Sequence, residues 1–228
     1  MLITIPNVLS TSEVSNYRAQ LEQATWIEGS QTAGSVAGQV KQNSQLDDSQ
    51  DAAKSLGNHI LRVLSKHPTF ISAALPDKIF PPKFNRYSQG ETYGNHVDGS
   101  IMHMPGSAMA MRIDLSATLF LSDPNEYEGG ELCIQTQFGE QRTKLAAGDM
   151  LLYPSTSLHR VDPVKRGERV ASFFWIQSMV RDTQQRQTLF ELDQSIQELT
   201  QELSHSHPQI ACLSGVYHNL MRRWASPS

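Results

Sequence analysis

The middle of the chain constrains the fold most. Between residues 77 and 178 it is a series of short β-rich runs: KFNRY, LSATLFLS, GELCIQTQ, QRTKL, DMLLYPS and RVASFFWIQSMV. Turn signals at SQGETYG, SDPNEYEGG, FGE, AAGD and VKRGE cut them apart, and no helical period fills the gaps. Strands this short and this closely spaced leave no room for crossover helices, so they must pair antiparallel in a sandwich or barrel. Ser116, Thr118 and Phe120 alternate with Leu115, Ala117, Leu119 and Leu121, as a strand with two different faces requires. The near-continuous apolar run SFFWI predicts a strand covered on both sides.

The flanks read as helix. Residues 1–76 form an N-terminal helical support region, 77–178 the β-core and 179–228 a C-terminal helical region. Ser10 with Glu13 three positions on fits a capping box, in which hydroxyl and carboxylate satisfy free backbone N–H groups. Val14, Tyr17, Leu21 and Ala24 then recur at helical spacing, and Ala53, Leu56, Ile60 and Leu64 repeat the pattern before Pro68 stops it. Between them, residues 31–48 are rich in Gly, Ser and Gln and read as a long loop. Near the C-terminus, Leu189, Leu192, Ile196, Leu199 and Leu203 make one stripe, and Ile210, Leu213, Tyr217, Leu220 and Trp224 another. A helical hairpin follows, packing either on its own barrel or on a second subunit as a homo-oligomer.

Charge and composition narrow the function. A net charge of -4 over 228 residues gives no global attraction to nucleic acid or anionic membranes. Lys165, Arg166 and Arg169 are the densest cationic group. The start, MLITIPNVLSTSEV, lacks the basic and apolar regions of a signal peptide, and no apolar stretch reaches membrane-spanning length. The two cysteines, Cys133 and Cys212, have no CxxC partner and read as buried thiols. The expectation is a soluble cytoplasmic protein with no nucleic-acid or membrane partner.

His96-Val97-Asp98 is the first chemical candidate, because positions i and i+2 of a strand converge on one face. Alone it is weak: an exposed pair at a strand end explains it equally well. Two further residues raise it. His159 ends the DMLLYPSTSLH run, and Arg169 begins RVASFFWI. Two histidines and one carboxylate form the facial triad of non-haem Fe(II) oxygenases, leaving three positions for a chelating 2-oxo acid and O2. The distal carboxylate of that acid then needs a cation, and the planar fork of Arg is suited to bidentate pairing.

HVD, the downstream His159 and Arg169, and the surrounding EGGEL and AAGDMLLYPS segments resemble the Fe(II)- and 2-oxoglutarate-dependent oxygenases of the prolyl and lysyl hydroxylase type. The resemblance runs along the whole chain, helical tail included, and is to the bacterial PKHD-type hydroxylases in particular. It implies a double-stranded β-helix (jelly roll) core, mainly β with flanking helices. It implies Fe(II) on His96, Asp98 and His159, 2-oxoglutarate on Arg169, and ascorbate as reductant. Tyr87 matches a tyrosine that contacts 2-oxoglutarate in related hydroxylases, with Tyr93 also in range. One departure is Phe120, where related prolyl hydroxylases carry a tyrosine hydroxyl, so Arg169 needs another hydroxyl partner.

The implied reaction converts 2-oxoglutarate and O2 to succinate and CO2 while hydroxylating an unactivated C–H bond, on a peptide or protein side chain or on a small metabolite. Two rivals stand beside it. A non-catalytic cupin-like metal and 2-oxo-acid binding module would share barrel and ligands without turning over 2-oxoglutarate. A zinc hydrolase would need a general-base Glu that neither His96 nor His159 has nearby. Other polar residues have plainer readings. His103, in a loop, faces solvent or substrate; Lys165 and Arg166 sit in a solvated hairpin; His205 and His207 occupy an interhelical break. Residues 31–48 and the Met-rich stretch from Ser100 to Met111 have the composition of pocket covers. Trp175 reads as packing first and substrate contact second.

Overall fold

The computed structural model describes residues 1–32 and 40–226. Helices flank a β-core as expected, but the N-terminal region also threads strands into the sheets. After β1 (Ile3–Ile5), Ser10 caps α1 (Thr11–Glu22) with the expected reciprocal pair: Glu13 N donates to the Ser10 hydroxyl, and Ser10 N donates to the Glu13 carboxylate at 2.8 Å. Then come β2 (Trp26–Glu28), a 3-10 turn over Gly29–Thr32, β3 (Lys41–Gln42) and β4 (Ser44–Leu46). α2 (Asp51–Leu64) buries Ala53, Leu56, Ile60 and Leu64, the face its periodicity predicts. Pro68 does not stop this helix, which has already ended. It opens α3 (Pro68–Ala74), where a missing N–H is harmless.

The core strands follow in order: β5 (Pro76–Ile79), β6 (Lys83–Tyr87), β7 (Thr92–His96), β8 (Ile101–His103), β9 (Ala110–Arg112), β10 (Leu115–Phe120), β11 (Glu128–Gly129), β12 (Leu132–Thr136) and β13 (Gly139–Thr143). β14 (Met150–Pro154), β15 (His159–Val161), β16 (Val164–Arg166) and β17 (Arg169–Ser178) complete them. Every strand pairing among the described residues is antiparallel. The larger sheet runs β1-β14-β10-β17-β6-β4-β2, with β5 also on β17, and the smaller runs β13-β12-β15-β7-β3.

Alternation along β10 and β17 decides which residues reach the site. Leu115, Ala117, Leu119, Phe174 and Ile176 go to the core shared with Val14, Tyr17, Leu21, Leu56 and Ile60 of α1 and α2. The opposite face carries Ser116, Thr118 and Phe173, which look between the sheets. β10 is therefore buried along its whole length. Each fully buried side chain of this kind contributes about 1.5–3 kcal/mol relative to exposure, so Leu119→Ala would remove about 2–5 kcal/mol.

The C-terminal stripes form the expected hairpin of α4 (Thr183–Leu203) and α5 (Pro208–Trp224). Leu189 packs with Leu75, Val180, Tyr217, Leu220 and Trp224, so the hairpin rests on its own chain, while Leu203 and Val216 stay exposed. Among the described residues no helix is long and apolar enough to cross a membrane. The cysteines are unpaired; Cys133 is buried, but Cys212 is exposed, against expectation, because it lies on the outer face of α5.

Both predicted loops depart from expectation. Of residues 31–48, positions 33–39 lie outside the described residues, while β3 and β4 take up 41–42 and 44–46. Lys41 pairs Tyr93 of β7, and Gln45 pairs Asn85 of β6. Neighbouring strands supply the hydrogen bonds, so a polar sequence of low β-propensity still pairs. The Met-rich stretch is likewise a hairpin, β8 against β9, with His103 at a strand end and exposed.

Candidate active site

Register places the two histidines. β7 and β15 pair with His96 directly opposite His159, so their rings sit 4.2 Å apart at 51°. His96 ends β7, and Asp98 lies just beyond it, its Oδ2 3.8 Å from His159 Nε2. One ligand atom from each of the three lies within 4.8 Å of the others. His96 Nδ1 is 2.8 Å from Gly94 O, and His159 Nδ1 is 2.9 Å from Ser157 O. A carbonyl only accepts, so each Nδ1 carries the proton and each Nε2 keeps its lone pair. Burial, then the neighbouring His159, lowers the His96 pKa to about 4, which keeps that imidazole neutral.

The surroundings hold the triad still. Tyr93 stacks on His96 at 3.6 Å and 17°, and Tyr153 meets His159 edge-on at 5.2 Å. Ser116 Oγ donates to Asp98 Oδ2 at 2.5 Å and lies 2.7 Å from Ser155 Oγ. The set suits a divalent iron: two neutral imidazoles, one carboxylate, and both rings oriented by carbonyls.

A cavity of about 250 Å³ opens between the sheets beside these groups. Phe173, Trp175, Leu132, Val161 and Met102 supply apolar wall. Arg169 and Tyr87, directly paired across β17 and β6, line it too. The Arg169 guanidinium lies between the Tyr87 ring at 5.4 Å and the Phe120 ring at 5.2 Å. Arg169 is 1% exposed, and its Nε and Nη1 find no hydrogen-bond partner among the described residues. A buried cation of this kind calls for an anion, and a 2-oxo dicarboxylate would bring one. Burial pushes the Tyr87 phenol up to about 12, against the pull of Arg169, so it stays a neutral hydroxyl.

The residues singled out from sequence thus converge in one place: His96, Asp98 and His159 as a cluster, Arg169, Tyr87, Tyr93 and Trp175 along the same cavity. Others fall away from it. Lys165 and Arg166 are exposed on β16, and His207 caps α5. Sequence reasoning missed Ser116, Ser155, Lys41 and Gln45. Ser116 had a signal, being a hydroxyl on the non-core face of β10. Lys41 and Gln45 had none, because they sat in a segment read as loop. The Lys41 ammonium is 3.1 Å from Gln45 Oε1 and lies near the Tyr93 and Phe173 rings.

Comparison with known proteins bears on family and fold. A sequence model of the 2OG-Fe(II) oxygenase superfamily matches residues 82–177, and one of the PKHD-type hydroxylase C-terminal domain matches 183–226. The chain is similar in fold to a prolyl hydroxylase from Trichoplax adhaerens, solved in complex with a hypoxia inducible factor oxygen degradation domain peptide fragment. The TM-score is 0.56 at 14% identity, over 77% of this chain and 82% of that one. Fold and site define an Fe(II)- and 2-oxoglutarate-dependent dioxygenase with a jelly-roll core. The chain is 60% identical over 227 residues to a PKHD-type hydroxylase of Acidovorax ebreus (strain TPSY), covering 100% of both. It is 55% identical over 226 residues to one of Pseudoalteromonas atlantica (strain T6c / ATCC BAA-1087), covering 99% of this chain and 100% of that protein. It belongs to the PKHD-type hydroxylase family.

Proposed function

We propose that His96, Asp98 and His159 hold the catalytic iron and that Arg169 and Tyr87 anchor the distal carboxylate of 2-oxoglutarate. The observation that carries this is the shared cavity: a three-ligand cluster lies on the same wall space as a buried guanidinium with two unsatisfied nitrogens. Bound iron with 2-oxoglutarate and O2 supplies the oxidising power for C–H hydroxylation, releasing succinate and CO2. The residues of the chain do the rest. Gly94 and Ser157 carbonyls fix the imidazole tautomers, Ser116 fixes the Asp98 carboxylate, and the apolar wall excludes water from the reacting centre.

The substrate reading is a peptide side chain ahead of a small metabolite. Val97, Ile101, Met109 and Leu158 are 43–56% exposed and are sequence neighbours of the ligands or of the β8–β9 hairpin. Exposed apolar side chains clustered near a site favour a partner with apolar surface of its own. The cytoplasm is the proposed location and ascorbate the proposed reductant; α4–α5, with Leu203 and Val216 exposed, is the proposed surface for a second copy.

Succinate formation tests the reading. Purified enzyme with Fe(II) and 2-oxoglutarate should release succinate, and Zn(II) in place of Fe(II) should not support it. Equal turnover with Zn(II), or none with either, would remove the oxygenase assignment from this site.

A further inference from the structure

Two buried polar groups, within electrostatic reach of one another, each lack a hydrogen-bond partner among the described residues. One is Arg169, with Nε and Nη1 unsatisfied; the other is Tyr127, 4% exposed, whose hydroxyl oxygen also has no hydrogen-bond partner among the described residues. Burial raises the Tyr127 pKa, and the adjacent guanidinium of Arg169 pulls against that rise. Buried hydroxyls and guanidinium nitrogens are rarely left unpaired in folded proteins, because desolvation then goes uncompensated.

Several features hold Tyr127 at this spot. The Lys144 ammonium lies 3.8 Å from its ring centroid, and Lys144 Nζ donates to Tyr127 O at 2.7 Å. A Cβ at Gly130 would stand 3.1 Å from Tyr127 Cε2. A Cβ at Gly167, where φ is +75°, would stand 2.9 Å from Tyr127 Cα. Gly167 closes the turn just before Arg169, so the backbone carrying Tyr127 docks onto the turn that launches the arginine. The other flanks of the guanidinium are the rings of Tyr87 and Phe120, and Phe120 has no oxygen to offer.

We propose that Tyr127 is a positioning residue for 2-oxoglutarate: its hydroxyl accepts a hydrogen bond from Arg169 and sets the plane in which the guanidinium presents its remaining N–H groups to the distal carboxylate. This rests on the reading of Arg169 as the 2-oxoglutarate anchor.

The test uses the full chain loaded with Mn(II) and titrated with 2-oxoglutarate in a calorimeter, with Mn(II) affinity and Tm measured alongside. Tyr127→Phe should weaken 2-oxoglutarate binding roughly tenfold, the effect of one hydrogen bond to a charged group, and leave Mn(II) affinity unchanged. Adding Phe120→Tyr to Tyr127→Phe should restore part of the loss, because it returns a hydroxyl to the guanidinium. Arg169→Ala is the control for the underlying reading and should lose far more. Unchanged 2-oxoglutarate affinity in Arg169→Ala would overturn the anchor, and the Tyr127 role with it. A weakened Arg169→Ala beside a Tyr127→Phe enzyme that binds normally would overturn the Tyr127 role alone. So would parallel loss of Mn(II) affinity and Tm in Tyr127→Phe, since that marks a packing role.

Discussion

Ser116→Ala should loosen the metal site without touching any proposed ligand. Ser116 is 2% exposed on β10, and its hydroxyl gives Asp98 Oδ2 a 2.5 Å hydrogen bond while meeting Ser155 Oγ at 2.7 Å. Removing it frees the carboxylate to rotate and leaves the Ser155 hydroxyl short of a partner. Hydrogen bonds to charged groups are worth roughly 1.5–3 kcal/mol. At about 1.4 kcal/mol per tenfold, that is on the order of a 10- to 100-fold loss of metal affinity. The folded state should also lose about 1–3 kcal/mol, because a buried hydroxyl and a nearly buried carboxylate are each left one partner short. Metal titration of the apo enzyme, by calorimetry with Mn(II) or Co(II), reads the first quantity, and denaturant unfolding reads the second. Ser155→Ala, one bond further from the carboxylate, should show only a few-fold loss. A Ser116→Ala enzyme that binds metal as tightly as wild type, with stability alone reduced, would refute the idea that this hydroxyl orients Asp98.

Three further outcomes are expected. Replacing His96, Asp98 or His159 by Ala should each abolish Fe(II)-dependent succinate formation and metal binding; near-native iron content in His159→Ala would remove that residue from the ligand set. Shortening the β8–β9 hairpin between Met104 and Met109 should reduce substrate hydroxylation while uncoupled 2-oxoglutarate consumption continues, because Met102 lines the cavity and Met104 packs beside Trp175; equal loss of both activities would leave the hairpin as structure only. Glu140 is held down to about 2, first by its hydrogen bond from Arg160, against an ordinary 4.5. Its folded pKa is depressed, so its stabilising contribution is whole above about pH 4.5 and is lost as pH falls towards 2. Glu140→Gln should therefore flatten the fall of Tm with pH across that window, and an unchanged slope would show that the pairing is screened out by solvent.

The β-core and the chemical residues were legible in the sequence because their signals are local. Strand alternation, the capping box at Ser10 and the stripes of α2, α4 and α5 each depend on neighbours within a few positions and appear where the pattern put them. The expected turns SQGETYG, SDPNEYEGG and VKRGE, by contrast, partly pair as β7, β11 and β16. His96, Asp98, His159 and Arg169 stood out as candidates because few residue types can ligate iron or grip a carboxylate.

What the sequence could not reveal depends on partners remote in the chain. Lys41 and Gln45 sit in a segment with no strand signal; they line the cavity only because β7 and β6 offer open edges to β3 and β4. Ser116 becomes the support of Asp98 only when β10 is brought beneath the end of β7. The backbone of Tyr127, far from Arg169 in sequence, docks against the turn just before Arg169 only because position 167 is glycine. Residue chemistry and local periodicity are written along the chain, and they determined the class of fold and the candidate ligand types. Register, sheet order and close backbone approach arise only when distant segments pair, so the tertiary structure alone decided which hydroxyls, amines and rings surround the proposed iron and 2-oxoglutarate positions.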